Sequence, residues 1–145
     1  MKRAAGSLLA LGTAVLLLSA NARGAATKSS PTKAAPGPAS FTSAQAYRGR
    51  FDYIHDCGEC HAGDLGGQFG PALRGPDSNL PWQTPAAVWS FMTQQMPVGN
   101  AGGLPQSEYL DIEAFLLQQN GRKPGHERLT IAAIAADPLA LDGTK

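Results

Sequence analysis

Two thiols and an imidazole fall within five residues, Cys57-Gly58-Glu59-Cys60-His61, and the 145-residue chain has no third cysteine. The pattern C-x-x-C-H is that of c-type haem attachment. Cysteines three apart on a helical turn point to the same side. Both can then reach the two vinyl groups on one edge of a porphyrin. His61 follows the second thiol directly and is carried under the iron as the proximal ligand. Thioether bonds keep such a cofactor on the chain outside the cytoplasm. A chain of this size, with 17 Gly and 11 Pro, has few large apolar side chains to form a core and gains most from a cofactor packed inside it.

Other chemistries of C-x-x-C fit less well. A thioredoxin-like redox pair needs a strand before the motif and a βαβ sheet around it. Here the preceding segment has helical spacing. Beyond residue 22 the aliphatic β-branched residues are only Val88, Val98, Ile54, Ile112, Ile131 and Ile134, too few for a sheet. A structural zinc site needs four ligands, and two cysteines with scattered histidines are a poor set. A disulfide at this spacing closes a small, strained loop.

The first 22 residues, MKRAAGSLLALGTAVLLLSANA, read as an export signal. Lys2 and Arg3 form the positive region, an apolar stretch runs from Ala4 to about Leu18, and Ala20-Asn21-Ala22 is a cleavage site. The stretch is short for a membrane span and is interrupted by Gly12 and Thr13, so no stable span is expected after cleavage. Residues 23–40 are rich in Ala, Pro, Ser and Lys and read as a disordered linker arm. Residues 41–126 form the expected domain. It carries five basic against eight acidic residues, net −3. The whole chain is +1, which excludes a strongly basic nucleic-acid binder. Residues 127–145 form an extended tail. Leu129, Ile131, Ile134, Leu139 and Leu141 make it too apolar for a solvated tail, and Pro138 argues against one regular helix. It is expected to pack as an extended strap on its own domain or on a partner.

Helical signals surround the motif. Ser43 is placed to cap a helix over 44–56. Glycines and prolines from Gly63 to Pro76 make an irregular loop that can lie against a flat macrocycle. Thr84-Pro85 starts a second helix, with Val88, Phe91, Met92 and Gln95 along one side. A last helix spans 106–119, with Tyr109, Ile112, Phe115 and Leu116 as its buried stripe, and Asn120-Gly121 ends it.

These residues together resemble a class I c-type cytochrome over about 43–122. The resemblance rests on Gly49 and Tyr53 before Cys57-x-x-Cys60-His61, then Gly70-Pro71-Ala72-Leu73-Arg74-Gly75, then Met96-Pro97-x-Gly-x-x-Gly-x-Leu, then Glu108 to Phe115. It implies an all-α fold, a small cytochrome c fold of about three to five short helices around one covalently bound haem c. It implies that the first and last helices cross at Gly49, Tyr53, Ile112 and Phe115, and that the Pro71 carbonyl holds the second nitrogen of His61. The family's axial methionine corresponds to Met96. Met/His ligation raises the potential and suits electron transfer. Met92, one turn earlier, is the rival and is read as a pocket wall. His55 and His126 are read as solvated. Trp82 and Trp89 are read as core residues, with a place against the haem or a bond to a propionate as the alternative, and Arg74 as solvated or paired with a propionate. Val98, Ala101 and Gly103 stand where related cytochromes often carry Pro, Pro and Ser, which leaves the Met96 loop less rigid. Pro105 stands where Ser often starts the last helix, so Ser107 is expected to take the capping role.

The resemblance extends to cytochromes that serve quinoprotein, alcohol-type dehydrogenases. The expectation is therefore a periplasmic, monohaem electron carrier, with no catalytic residues of its own. It would run between a dehydrogenase donor and a terminal oxidase or another cytochrome of the respiratory chain. Two alternatives remain at this stage. One is a haem protein with an open or labile sixth position, peroxidase-like or gas-sensing. The other is an obligate cytochrome subunit of a dehydrogenase complex.

Overall fold

A computed structural model describes residues 38–145. The export signal and most of the linker arm lie outside the described residues. The described chain is all-α, with helices α1 (Ser43–Asp56), α2 (Gly58–His61), α3 (Pro85–Gln95), α4 (Gln106–Gln119) and α5 (Ile131–Ala136), and a 3₁₀ turn at Leu80–Trp82. Among the described residues there is no strand, as the shortage of β-branched residues requires.

Helix α1 begins one residue earlier than expected. Thr42, not Ser43, is the cap, and its hydroxyl accepts from Gln45 N at 3.1 Å. Both hydroxyls suit a cap, and the one on the extended residue takes it. Helix α3 begins as read, with Thr84 Oγ1 accepting from Ala87 N at 3.2 Å and Pro85 in the first turn. Helix α4 covers the expected span, but Ser107 does not cap it. Pro105 occupies the cap position and makes no side-chain hydrogen bond. Its other end closes as a Schellman turn, with Arg122 N on Leu117 O and Gly121 N on Gln118 O.

The main packing event is the crossing of α1 and α4. Gly49 permits it: a Cβ there would overlap the Asp111 carbonyl and come within 2.8 Å of Ile112 N. Backbone-to-backbone approach at this point lets Tyr53 pack on Phe115, ring centroids 5.4 Å apart. At the rim Arg48 holds Asp111 with two hydrogen bonds, 2.6 and 3.1 Å. Phe41, Tyr53, Leu65, Ile112 and Leu117 are fully buried, so the chain before α1, the loop after the motif, and α4 share one core.

The tail joins that core. Leu129, Ile134 and Leu141 are buried. The buried Gln45 side chain bridges both backbone groups of Leu129, accepting from its N at 2.7 Å and donating to its O at 3.4 Å. The tail is not wholly extended. Thr130 caps the six-residue α5, with its hydroxyl accepting from Ala133 N. The run Ile131–Ala136 ends before Pro138, so the proline limits the helix without preventing it. Two further side chains depart from expectation. Phe91 lies 59% exposed, and Trp82 is 69% exposed and outside the core. Trp89 is half-buried and meets Tyr109 edge-to-face at 6.3 Å.

Candidate haem-attachment site

Helix α1 stops at Cys57, which leaves the helical region with φ −125°. The chain then makes one further turn, α2. Cys60 N and His61 N both donate to Cys57 O, at 3.2 and 2.9 Å. The two thiols and the imidazole thus sit on a single helical turn. Tyr53 fixes its end by donating to Ala62 O at 2.7 Å. The next residues hold unusual backbone: Ala62 and Leu65 have φ of 61° and 66°. Such left-handed non-glycine residues cost about 1 kcal/mol or more each and persist only where the surroundings enforce them. Here Gly67 N donates to His61 O, Gly70 N to Cys60 O at 2.8 Å, and Leu73 N to Leu65 O at 2.8 Å. The loop is wrapped back onto the motif.

That wrapping delivers the second contact expected of His61. Its Nδ1 lies 2.8 Å from Pro71 O, so Nδ1 carries the proton and donates, and Nε2 is left as the free ring nitrogen. A hydrogen bond of this kind fixes the ring plane and raises the basicity of the other nitrogen. Gly70 makes the approach possible. A Cβ at Gly70 would lie 2.7 Å from His61 Cε1 and 2.8 Å from Nδ1, inside contact distance of the ring.

Both cysteines are free thiols, Cys57 half-buried and Cys60 exposed. Burial first, then the charges of Asp56 and Cys60, push the Cys57 thiol up to about 12. A redox dithiol works the other way, through a thiolate stabilised well below its ordinary value. Among the described residues no group of three or more His, Cys, Asp and Glu converges as a metal site.

Met96 is the C-cap of α3, extended at φ −122° and ψ 152°. Its carbonyl accepts from Tyr109 Oη at 2.7 Å and from Gly102 N at 3.3 Å. Tyr109 therefore does more than pack in the helix stripe: it ties the Met96 loop to α4. Met96 is half-buried, whereas Met92 is 7% exposed and belongs to the core. The structure brings Cys57, Cys60, His61 and Pro71 together and anchors Met96 separately, through α4. His55 and His126 are exposed, and His55 Nδ1 meets Asp56 at 2.8 Å. Arg74 is exposed and makes no ion pair among the described residues.

The residues present fit a haem c. The thiols share one turn, the imidazole is oriented through Nδ1 with Nε2 free, and Gly70 leaves the ring room. Large apolar side chains beside both predicted ligands stand in solvent: Phe69, just before Gly70-Pro71, is 78% exposed, and Val98, just after Met96-Pro97, is 80% exposed. An apolar macrocycle is the kind of surface that would cover them. A cleft of about 380 Å³ lies elsewhere, between α1 and the start of α4, among Arg48, Asp52, Glu108, Asp111 and Arg128. It holds none of the predicted site residues.

Sequence reasoning missed three features. Glu113 is completely buried on α4, with neither carboxyl oxygen hydrogen-bonded. Burial raises its carboxyl well above the usual range. Arg122 and Asp137 form a buried ion pair at 3.0 Å. Tyr109 holds Met96 from 13 residues away. No local pattern announces the two long-range pairs, and only the apolar neighbours Ile112 and Ala114 hint that Glu113 lies inside.

No protein-family model and no characterised sequence matches the chain. A solved structure does: a chain of the sulfane dehydrogenase SoxCD from Paracoccus pantotrophus is similar, with a TM-score of 0.50 and 26% identity over 59% of this chain. The match spans 47% of that chain, so this protein resembles part of a longer chain. By fold and sequence together, the described domain is similar to one portion of a dehydrogenase assembly.

Proposed function

We propose that this chain is an exported monohaem c-type cytochrome that carries single electrons from a dehydrogenase towards the respiratory chain. The observation that carries the reading is the turn Cys57–His61 with His61 Nδ1 locked 2.8 Å from Pro71 O. In this reading Cys57 and Cys60 would hold the haem as thioethers, and His61 Nε2 and Met96 would be its iron ligands. The haem supplies a reversible one-electron couple when bound. The chain's part is to orient the imidazole through Pro71, to fix the Met96 backbone through Tyr109, and to exclude water with the α1–α4 core. The proposed role is that of a carrier rather than an enzyme. The export signal supports a periplasmic location.

The dehydrogenase partner is supported from two directions. The sequence resembles cytochromes that serve quinoprotein dehydrogenases, and the similar solved chain belongs to a sulfane dehydrogenase. That similarity, to part of a longer chain, also favours a second reading, in which this protein is a resident subunit of a dehydrogenase. Purification separates the two: a carrier is recovered alone, a subunit with its enzyme.

The ligand pair is tested by spectroscopy. The oxidised protein is expected to show the weak near-infrared band of methionine-sulfur ligation. Met96→Ala should abolish it and Met92→Ala should keep it. The reverse pattern would transfer the role to Met92, and absence of the band from the wild type would favour a sixth position open to small ligands.

A further inference from the structure

The segment between the two halves of the site is held by the tail. His61 and Pro71 lie before residue 80 and Met96 lies at the end of α3. The chain that joins them passes through the turn Leu80–Trp82 directly into the Thr84 cap of α3. Both carbonyls flanking Trp82 are taken by tail amides: Leu141 N donates to Gln83 O at 2.8 Å and Asp142 N to Pro81 O at 3.2 Å. Helix α5, in the same tail, packs on α3, and α4 packs on α3 as well. Helix α3 therefore depends on the tail both at its start and along its side.

The tail in turn hangs on one carboxylate. Asp137 is 4% exposed. Its Oδ2 accepts from Ala39 N at 2.7 Å and lies 3.0 Å from Arg122 Nη2, and its Oδ1 accepts from Leu139 N at 2.9 Å. Arg122 also donates to Ala140 O, through Nη2 at 2.8 Å and Nε at 3.2 Å, and through Nη2 to Leu139 O at 3.4 Å. These bonds gather the chain before α1, the end of α4 and the tail at one buried point. Removing one partner of a buried, fully bonded pair leaves an uncompensated charge inside the protein, which is strongly destabilising.

We infer that Asp137 is a positioning residue for the sixth ligand: the Arg122–Asp137 clasp holds the tail across the 80–83 turn and α3, and thereby keeps Met96 in place. Release of the tail frees the start of α3 and lets the Met96 end move, opening the distal side to small ligands. The inference rests on the proposed His61/Met96 ligation. It also gives the less rigid Met96 loop a second support, since Tyr109 fixes only the backbone at the ligand itself.

The test uses the exported, haem-loaded protein. Asp137→Asn removes the charge that Arg122 faces. A chain ending at Pro138 keeps the Arg122–Asp137 ion pair and the Ala39 contact but loses the Leu139 and Ala140 bonds of the clasp together with the Leu141 and Asp142 contacts, and serves if the first variant does not fold. In a double variant, Arg122→Met with Asp137→Leu, apolar groups replace the pair and leave no buried charge unpaired. Expected for the first variant is fast hydrogen exchange at Leu141 and Asp142. Expected for both single routes is a weakened near-infrared methionine band and carbon monoxide binding to the reduced protein accelerated by about tenfold, in proportion to the open fraction. Helix content and haem attachment should be unchanged. The double variant loses the bonds to Ala39, Leu139 and Ala140 as well and should weaken the band likewise, with no buried charge left to account for it; a wild-type band in it also overturns the inference. Two further results overturn it: tail amides that exchange freely while the band and carbon monoxide rate stay at wild-type values, or tail amides that remain protected in Asp137→Asn. A wild type without the band is a different outcome, since it removes the Met96 reading itself.

Discussion

Gly49→Ala is expected to destabilise the folded domain by about 3 kcal/mol or more, the upper range for overpacking a tight contact. The added methyl would overlap the Asp111 carbonyl and press on Ile112 N. Both are helix backbone, which cannot rotate away as a side chain can. Relief requires α1 and α4 to separate, and separation unpacks Tyr53 from Phe115 and strains the Arg48–Asp111 pair. For a domain of this size the melting temperature should fall by roughly 15 °C. Gly63→Ala is the matched control, because a Cβ at Gly63 meets nothing within 4 Å. Thermal melts of the two variants compare the same chemical change at a closed and an open position. Equal melting temperatures would mean that the crossing at Gly49 is not as close as described.

The second large effect concerns Glu113. Its carboxyl is fully buried, unbonded and raised well above its ordinary value by burial alone. The folded state therefore keeps a proton that the unfolded state releases near pH 4 to 5. Below that range both states hold the proton and the group is silent. As pH rises through and beyond it, the unfolded state ionises first and gains, so folding stability falls by about 1.4 kcal/mol per pH unit until the folded group ionises as well. Glu113→Met removes the titration at similar length. It should raise stability near pH 7 by about 2 kcal/mol, the cost of burying an unpaired polar group, and flatten the stability profile above pH 5. Denaturant titrations at several pH values measure both. A Glu113→Met protein with the wild-type slope would show that the carboxyl has a partner and ionises normally.

How far the fold can be read from the sequence depends on the range of the interactions. Helix α4 is legible to its boundaries, because its apolar stripe and its Asn120-Gly121 stop are local signals. The start of α3 is legible for the same reason, through Thr84-Pro85. The cap of α1 is displaced by one residue because Thr42 and Ser43 are equally good hydroxyl caps, and only the backbone angle chooses between them. The His61–Pro71 contact came from family resemblance, and no spacing rule yields it. Trp82 is not legible, since size and apolarity favour the core while the fold leaves its indole exposed. The tail was legible as apolar and packed, but its anchor was not. Arg122 and Asp137 are ordinary charges in the sequence, and only the fold brings them into one buried pair.

The central claim is that this chain carries a haem on Cys57 and Cys60. Intact mass of the exported protein, after denaturation and acid–acetone extraction, tests it most directly. The account predicts one species, a chain beginning at Arg23 and heavier by one haem, with the colour retained in the protein. An apo-protein mass with free or disulfide-bonded cysteines, or colour that leaves with the solvent, would contradict it.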